Sequence, residues 1–512
     1  SSTDFNMYRN KDYSYTVNFA HVGIPTGDNR VTYIAPIPAS ENNDNLVPTA
    51  NCFMVEPGGS FCFDPFAFQQ NGTEITNSQM TGWYGTASTG IKSVKLLWQT
   101  RENGDVGDPV MGIANSDDDH TNIVDIKRTI DNSDINTVPA NDKGQCRIYC
   151  RVAANTTGGN GVIAAYDGPD GTGNIVWSWH VWVTDYKPDT RGGEQVLELV
   201  NKRKLLFSLN NASVLPMMDR NLGAASGKAT KVAEEAIKTY GVYFQFGRKD
   251  PFPAAGVMTR TNDADIVPIY DANGNKILKK SNQVKNSAIT KGFDQTAVKV
   301  QLAYVVENPL IFMLRDDDDK AITYGGDGTK PSYNWIFAAH PANNGKDSSA
   351  PWRVSNKLWG SGFVNESTSL ILGTITDVKK TIYDPCPYGY HMPPQDAWTN
   401  FTTIVTDYNT STLSEYNIVA DDKYNQTSNT VGFTDENFKV WGRRLFTNGS
   451  TGAVDESNVA FYPAAGYRDG HDGYVNYVGW GGYAWSASPY SATSSDGGFM
   501  RMGSHWVSPV LS

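Results

Sequence analysis

From Ile175 to Thr184 the chain alternates without a break. Ile175, Trp177, Trp179, Val181 and Val183 fall on one side, and Val176, Ser178, His180, Trp182 and Thr184 on the other. A period of two is the signature of a β-strand. The same pattern predicts strands over Tyr13–Phe19 and Ile91–Thr100, and two short strands flanking Pro57-Gly58-Gly59 within Cys52–Phe66. The segments 144–154 and 161–168 read as further strands. Short strands separated by frequent turns predict a β-sandwich over residues 21–190. The Pro-, Gly- and charge-rich stretch 186–195 reads as a linker.

Beyond that stretch the period changes. Residues 226–241 predict a helix, with Val232, Ala233, Ala236, Ile237 and Tyr240 as its apolar stripe and Gly241 at its C-terminal cap. A second helix is expected from Pro394, with Trp398, Phe401 and Val405 on one face. The remainder is short strands, Gly-rich turns and long loops, an α+β pattern.

Composition narrows the class. A chain of 512 residues exceeds one hydrophobic core, so two or three domains are expected. Aromatic content is 12% and charged content 19%, the balance of a β-rich secreted protein. The net charge is −11 and Lys and Arg do not cluster, which argues against nucleic acid as a partner. No uninterrupted apolar run reaches the roughly 18 residues of a transmembrane helix, and no signal peptide is read at the start.

The chemistry-bearing residues are scattered. Of the five cysteines, Cys146 and Cys150 share one strand-like run, where four residues span roughly 13 Å, beyond disulfide reach. A zinc half-site at that pair lacks a nearby second pair. Pairing with the Cys52/Cys62 region, or buried free thiols, fits better. The acidic runs Asn115–His120 and Asp316–Asp319 read as solvated loops, and Asp271–Lys276 as a β-turn rather than a calcium loop. The seven histidines show no metal-protease spacing, and His180, among tryptophans, reads as structural. There is no nucleophile elbow and no phosphate-binding loop. The densest candidate surface is 466–485. Tyr467, Arg468, Asp469, His471, Asp472, Tyr474, Asn476, Tyr477 and Trp480 combine aromatic faces with directional polar groups on a Gly-rich frame there.

Five strings in the second half carry a resemblance. They are Met217–Ala224 (MMDRNLGA), Tyr240–Pro253 (YGVYFQFGRKDPFP), Asp384–Trp398 (DPCPYGYHMPPQDAW), Tyr462–Gly470 (YPAAGYRDG) and Gly481–Tyr490 (GGYAWSASPY). In this order they resemble the Fibrobacter succinogenes major paralogous domain, a branch of the C-type-lectin fold related to formylglycine-generating-enzyme-like domains. The resemblance covers residues 200–512, with an insertion at about 254–380. Asn51–Ala67 and the run around 162–186 are similar to a module found beside that domain. Met7–Phe19 is similar to the closing strand of fimbrillin-type sandwiches, which would make residues 1–20 the tail of an upstream domain or a processed strand.

The resemblance implies a multidomain chain. An N-terminal all-β immunoglobulin-like sandwich at 21–190 would precede an α+β C-type-lectin-like domain at 200–512, with Trp398 and Trp485 as core anchors. It also implies a cell-surface or fimbrial protein of gut Gram-negative anaerobes, extracellular or on the outer-membrane surface. The expected function is adhesion, non-enzymatic, with a glycan or a host or bacterial surface protein as ligand and other fimbrial subunits as further partners. Loops of the lectin-like domain would bind, through the 466–485 residues named above. No cofactor is implied, with calcium left open. A structural pilus subunit is the alternative, and a phage receptor-binding protein or a lectin-fold enzyme are lesser ones. Family members end in a cysteine expected to pair with the position of Cys386; here the sequence reads HWVSPVLS instead.

Overall fold

A computed structural model describes residues 46–47, 49–70, 73–76, 90–103, 106–112, 123–153, 158–186, 188, 204–208, 214–230, 232–258, 262–279, 282–285, 289, 295–314, 358–361, 379–394, 397, 442–446, 459–489, 497–503 and 507–511. The expected strand at Tyr13–Phe19, nearly all of the 186–195 linker, the 115–120 and 316–319 acidic runs and the helix face of Trp398, Phe401 and Val405 lie outside these residues. The described chain is mostly β, with few helices.

The first half builds two sheets. Strands β1 (Leu46–Val47), β3 (Ser60–Phe63), β5 (Val124–Arg128) and β6 (Cys146–Arg151) form one, in the order β1-β3-β6-β5. The other contains β2 (Cys52–Val55), β4 (Ser93–Gln99), β7 (Gly159–Tyr166) and β8 (Ile175–Val183), and is completed by β9 (Ile269–Tyr270) and β10 (Lys276–Ile277) in the order β10-β9-β4-β7-β8-β2. Most pairings are antiparallel, but β1 runs parallel to β3 and β2 parallel to β8.

The Pro57-Gly58-Gly59 turn therefore does more than reverse the chain. The strands on either side of it belong to different sheets, so the turn is a corner between layers. Gly58 takes φ 76° there, a conformation that favours glycine. Across the gap Phe53 packs on Phe61 and Phe63, at 4.8 and 4.3 Å between ring centroids, and Phe63 meets Trp179 edge-on at 5.0 Å. Each buried ring contributes on the order of 2–3 kcal/mol of hydrophobic stabilisation. All five cysteines are buried and free; Cys146 and Cys150 both lie in β6.

The core does not end with the first half. Leu302, Val305 and Val306 of α2 (Gln295–Glu307), together with Trp359 and Tyr383, belong to the same buried cluster as Trp177 and Trp179. Polar side chains complete the joint. Asn51 donates through Nδ2 to the Ile382 and Asp384 carbonyls (2.7 and 2.8 Å) and accepts at Oδ1 from Trp177 Nε1 (3.1 Å). Asn160 donates to the Gly223 carbonyl (3.0 Å), and its Oδ1 lies 2.9 Å from His180 Nε2. The Tyr186 hydroxyl accepts from the Asp219 amide (3.0 Å), and the Arg220 guanidinium lies 3.9 Å above the Tyr186 ring.

A further contact is a cluster of Ser178, Lys249 and Asp250, all buried. Lys249 Nζ donates to Asp250 Oδ1 (2.7 Å), Ser178 Oγ (2.5 Å) and the Ser178 carbonyl (3.0 Å), and Ser178 Oγ donates to Asp250 Oδ1 (2.6 Å). Burial lowers the Lys249 ammonium's pKa, and Asp250 opposes that shift.

The expected helix is present but shorter than the 226–241 read from the sequence: α1 spans Ala233–Tyr240, with Ala236 and Tyr240 buried, and residues 226–230 are not helical. Val232, read as part of its stripe, instead sits at the N-cap and is 53% exposed. Gly241 ends the helix at φ 73°, and a Cβ built there would lie 2.3 Å from the Leu222 carbonyl oxygen, which already accepts from Val242 N. Gly241→Ala is accordingly expected to cost about 1–3 kcal/mol, read as a lowered urea midpoint at unchanged m-value.

The Asp271–Lys276 stretch is the expected turn, closing the β9–β10 hairpin. Asp271 Oδ1 accepts from the amides of Asn273 and Asn275 (2.9 and 2.8 Å), which engages the carboxylate in the turn itself.

Candidate functional site

The segment 466–481 is a tight excursion on the second half. Its base is closed by Gly466 N donating to Gly481 O and Gly479 N to Ala464 O, both at 2.8 Å. From it rise two short antiparallel strands, β11 (Tyr467–Arg468) and β12 (Val475–Asn476). The chain then enters β13 (Gly481–Pro489), which pairs with β14 (Gly497–Gly503), itself paired with β15 (Val507–Leu511). A loop on such a frame is held while its tip faces outward.

The tip is fixed by its own carboxylates. Asp469 Oδ1 accepts from His471 N (2.7 Å) and Asp472 Oδ1 from Tyr474 N (2.8 Å). Both are aspartate turns, in which the side chain replaces a backbone acceptor. Gly473, at φ 74°, completes the reversal.

The nine sequence candidates divide by direction. Arg468 and Asn476 serve the scaffold. The Arg468 guanidinium lies 4.1 Å from the Phe312 ring centroid and 5.6 Å from that of Phe252, and Nε donates to Gly473 O (3.1 Å). Burial, then the neighbouring Arg248, bring its pKa down to about 9, with Asp263 opposing. Asn476 Oδ1 accepts from Asp263 N (3.2 Å). Between them Val475 is buried, and its carbonyl takes the Ala264 amide (2.8 Å).

The aromatic residues come together. Tyr477 stacks with Tyr467 at 5.4 Å and 20° and with Trp480 at 4.3 Å and 24°, and Tyr467 meets Tyr483 edge-on at 5.0 Å. These are favourable aromatic geometries, each worth on the order of 1 kcal/mol. Burial, then the Asp469 carboxylate, push the Tyr467 hydroxyl well above its ordinary pKa; burial pushes that of Tyr483 up to about 12. Tyr474 and Tyr477 remain 37% and 38% exposed, and His471 is exposed at the tip. Tyr477 holds its ring in place from a left-handed backbone, φ 62°.

Sequence reasoning missed the supports. Asp263, Ala264, Gln283 and Phe312 hold the loop from a segment read as an insertion. Their partners lie about 160 to 210 residues away, as with the separation of 213 between Asp263 and Asn476, and no local pattern signals such pairings. Trp485, expected as a core anchor, is half-buried. Its Nε1 donates to Phe244 O (3.0 Å), and its ring packs with Phe246, Trp359 and Phe499. Among the described residues no three His, Cys, Asp or Glu side chains lie close enough together to hold a metal ion. Among them, too, no helix is long and apolar enough to cross a membrane.

No family model, no curated protein and no solved structure matches this chain.

Proposed function

We propose that the protein is a cell-surface or fimbrial-tip adhesin, non-enzymatic, that takes a glycan or protein ligand on the 467–480 loop. In this reading the paired sheets of the first half are an immunoglobulin-like stalk module, and the second half is a C-type-lectin-like domain carrying the binding loop. The observation that carries it is Tyr477. An exposed tyrosine in left-handed backbone, its ring stacked with both Tyr467 and Trp480, is held at a conformational cost on the order of 1 kcal/mol. Backbone strain that holds an exposed aromatic ring at the base of the loop, with a second exposed tyrosine, Tyr474, and polar groups at its tip, is the composition of a recognition surface.

A nucleophile-like trio does occur, at Ser178, Lys249 and Asp250. All three are buried in the core, and the trio is read as structural.

The test is a glycan and surface-protein array probed with the full 512-residue chain. Saturable binding that Tyr477→Ala or Tyr474→Ala weakens tenfold or more, equivalent to about 1.4 kcal/mol, is the expected result. Binding that both substitutions leave intact would move the site elsewhere, and a blank array from folded protein would remove the adhesin reading.

A further inference from the structure

The joint between the halves brings two thiols together. Asn51 ties its segment to the Asp384 carbonyl (2.8 Å), and the next residue, Cys52, forms a parallel β-bridge with Pro387, the neighbour of Cys386. Bridged strands lie roughly 4.8 Å apart and rise roughly 3.3 Å per residue, so the Cα atoms of Cys52 and Cys386 are about 6 Å apart, inside the span a disulfide requires. Strict alternation of side chains does not hold at Cys386, which lies at a bend and is followed by the Tyr388-Gly389 turn. That segment is fixed in place. Lys380 Nζ donates to the carbonyls of Cys386, Pro387 and Tyr390 (2.6, 2.9 and 2.8 Å), and Asp384 Oδ1 accepts from Cys386 N (2.8 Å). Cys52 packs with Trp182 and Tyr186 and against Met218 and Leu222, on the side of its sheet that meets the second half. The two thiols act on one another there: burial, then the Asp384 carboxylate, push the Cys386 thiol well up, and Cys52 adds to the rise. The other cysteines stand apart, Cys146 and Cys150 in the first-half core and Cys62 against Tyr149.

We propose that Cys52 and Cys386 form a disulfide across the joint when the chain folds in an oxidising environment. The structure, with both thiols free, is the reduced form. The proposal does not depend on the adhesin reading. The bond arises by exchange with a small disulfide such as glutathione disulfide. One protein thiolate attacks it, releasing one glutathione thiol and leaving a mixed disulfide, and the second protein thiolate displaces the other glutathione. Two protein thiols lose two protons and two electrons in all, and one oxidant disulfide becomes two thiols. Exchange needs a thiolate, and burial disfavours the thiolate at both residues. The bond therefore closes, and is reduced, while the joint stands open, and once the halves have docked it is inert.

In the experiment the full chain is unfolded and reduced, then refolded in an oxidising glutathione buffer or, in parallel, in excess dithiothreitol. Each sample is quenched in acid and alkylated in denaturant, and the labels are counted by mass. All five cysteines should be labelled in the reduced sample and two fewer in the oxidised one, with the Cys52 and Cys386 peptides joined in the unreduced digest. The oxidised protein should unfold at higher urea than the reduced one, and Cys386→Ala should abolish that difference. Native reduced protein placed in the same oxidising buffer should form the same bond slowly, and faster at urea concentrations below its unfolding midpoint, an arm that stands even where refolding fails. Five labels after oxidation in both arms, or two labels lost to a different pair, overturns the proposal. So does a Cys386→Ala chain that still loses two labels.

Discussion

Asp250→Ala is expected to destabilise the protein by about 3–5 kcal/mol, one of the two largest single-residue effects foreseen here. The reason lies in what is left behind. Lys249 is fully enclosed, with its ammonium 2.7 Å from Asp250 Oδ1, 2.5 Å from Ser178 Oγ and 4.6 Å from the Trp177 ring centroid. Burial already disfavours its charge, and Asp250 is the group that opposes the shift. Truncation of Asp250 strands a buried cation or forces it to lose its proton. Removing both charges is a different matter: Lys249→Met combined with Asp250→Leu is expected to cost far less than Asp250→Ala alone, because no unpaired ion remains. Ser178→Ala, which removes one neutral partner, should fall between about 1 and 2 kcal/mol. Urea unfolding of the three variants against wild type measures all of this. An Asp250→Ala midpoint indistinguishable from wild type would mean that the cluster is not a joint between the halves.

The sequence made such a cluster hard to foresee. The alternation from Ile175 to Thr184 is legible because a strand's two faces are written in neighbouring residues, and the structure has both faces buried. What the polar residues of that run meet is not written locally. Ser178 bonds residues more than 70 positions away, and Asn51 bonds a carbonyl 331 positions away. The helix α1 was legible from its stripe and its glycine cap. The helix α2 was not: Leu302, Val305 and Val306 share a buried side, but Val300 stands 41% exposed off it and the segment is rich in valine, so its composition suggests a strand. The Pro-Gly-Gly turn was legible as a turn, but not as a corner between sheets, since a turn's sequence does not name the partners of its flanking strands. The loop at 466–485 was found from its density of aromatic and polar residues. Composition placed Arg468 and Tyr477 in one class, whereas the alternation of β11 and β12 turns the first to the core, and φ 62° at the second leaves it exposed.

Acid is expected to loosen the same joint through His180. The imidazole is buried in β8, with Nε2 2.9 Å from Asn160 Oδ1 and Nδ1 enclosed without a hydrogen-bond partner. Asn160 donates its own amide to Gly223 O, which fixes its oxygen toward the histidine and so the proton on Nε2. Protonating Nδ1 would place an uncompensated charge in the core, and burial holds the pKa down to about 3, against an ordinary 6.5. The unfolded chain therefore binds a proton below pH 6.5 that the folded chain refuses until about pH 3. Folding stability is at its full value above 6.5 and falls as the pH drops through that interval, by about 1.4 kcal/mol per unit. Between pH 6.5 and 4 this one residue should cost about 3 kcal/mol. His180→Gln can keep a donor to Asn160 while removing the titrating group. The wild type is then expected to lose about 3 kcal/mol more than His180→Gln over that range in paired urea titrations, the carboxylates common to both cancelling. Equal losses would show that the histidine is charged, or exposed, in the folded protein. Because Asn160 bridges His180 to Gly223, hydrogen exchange should report the first acid-induced opening near residues 221–224, where the second half meets β7, before the β7–β8 ladder itself gives way.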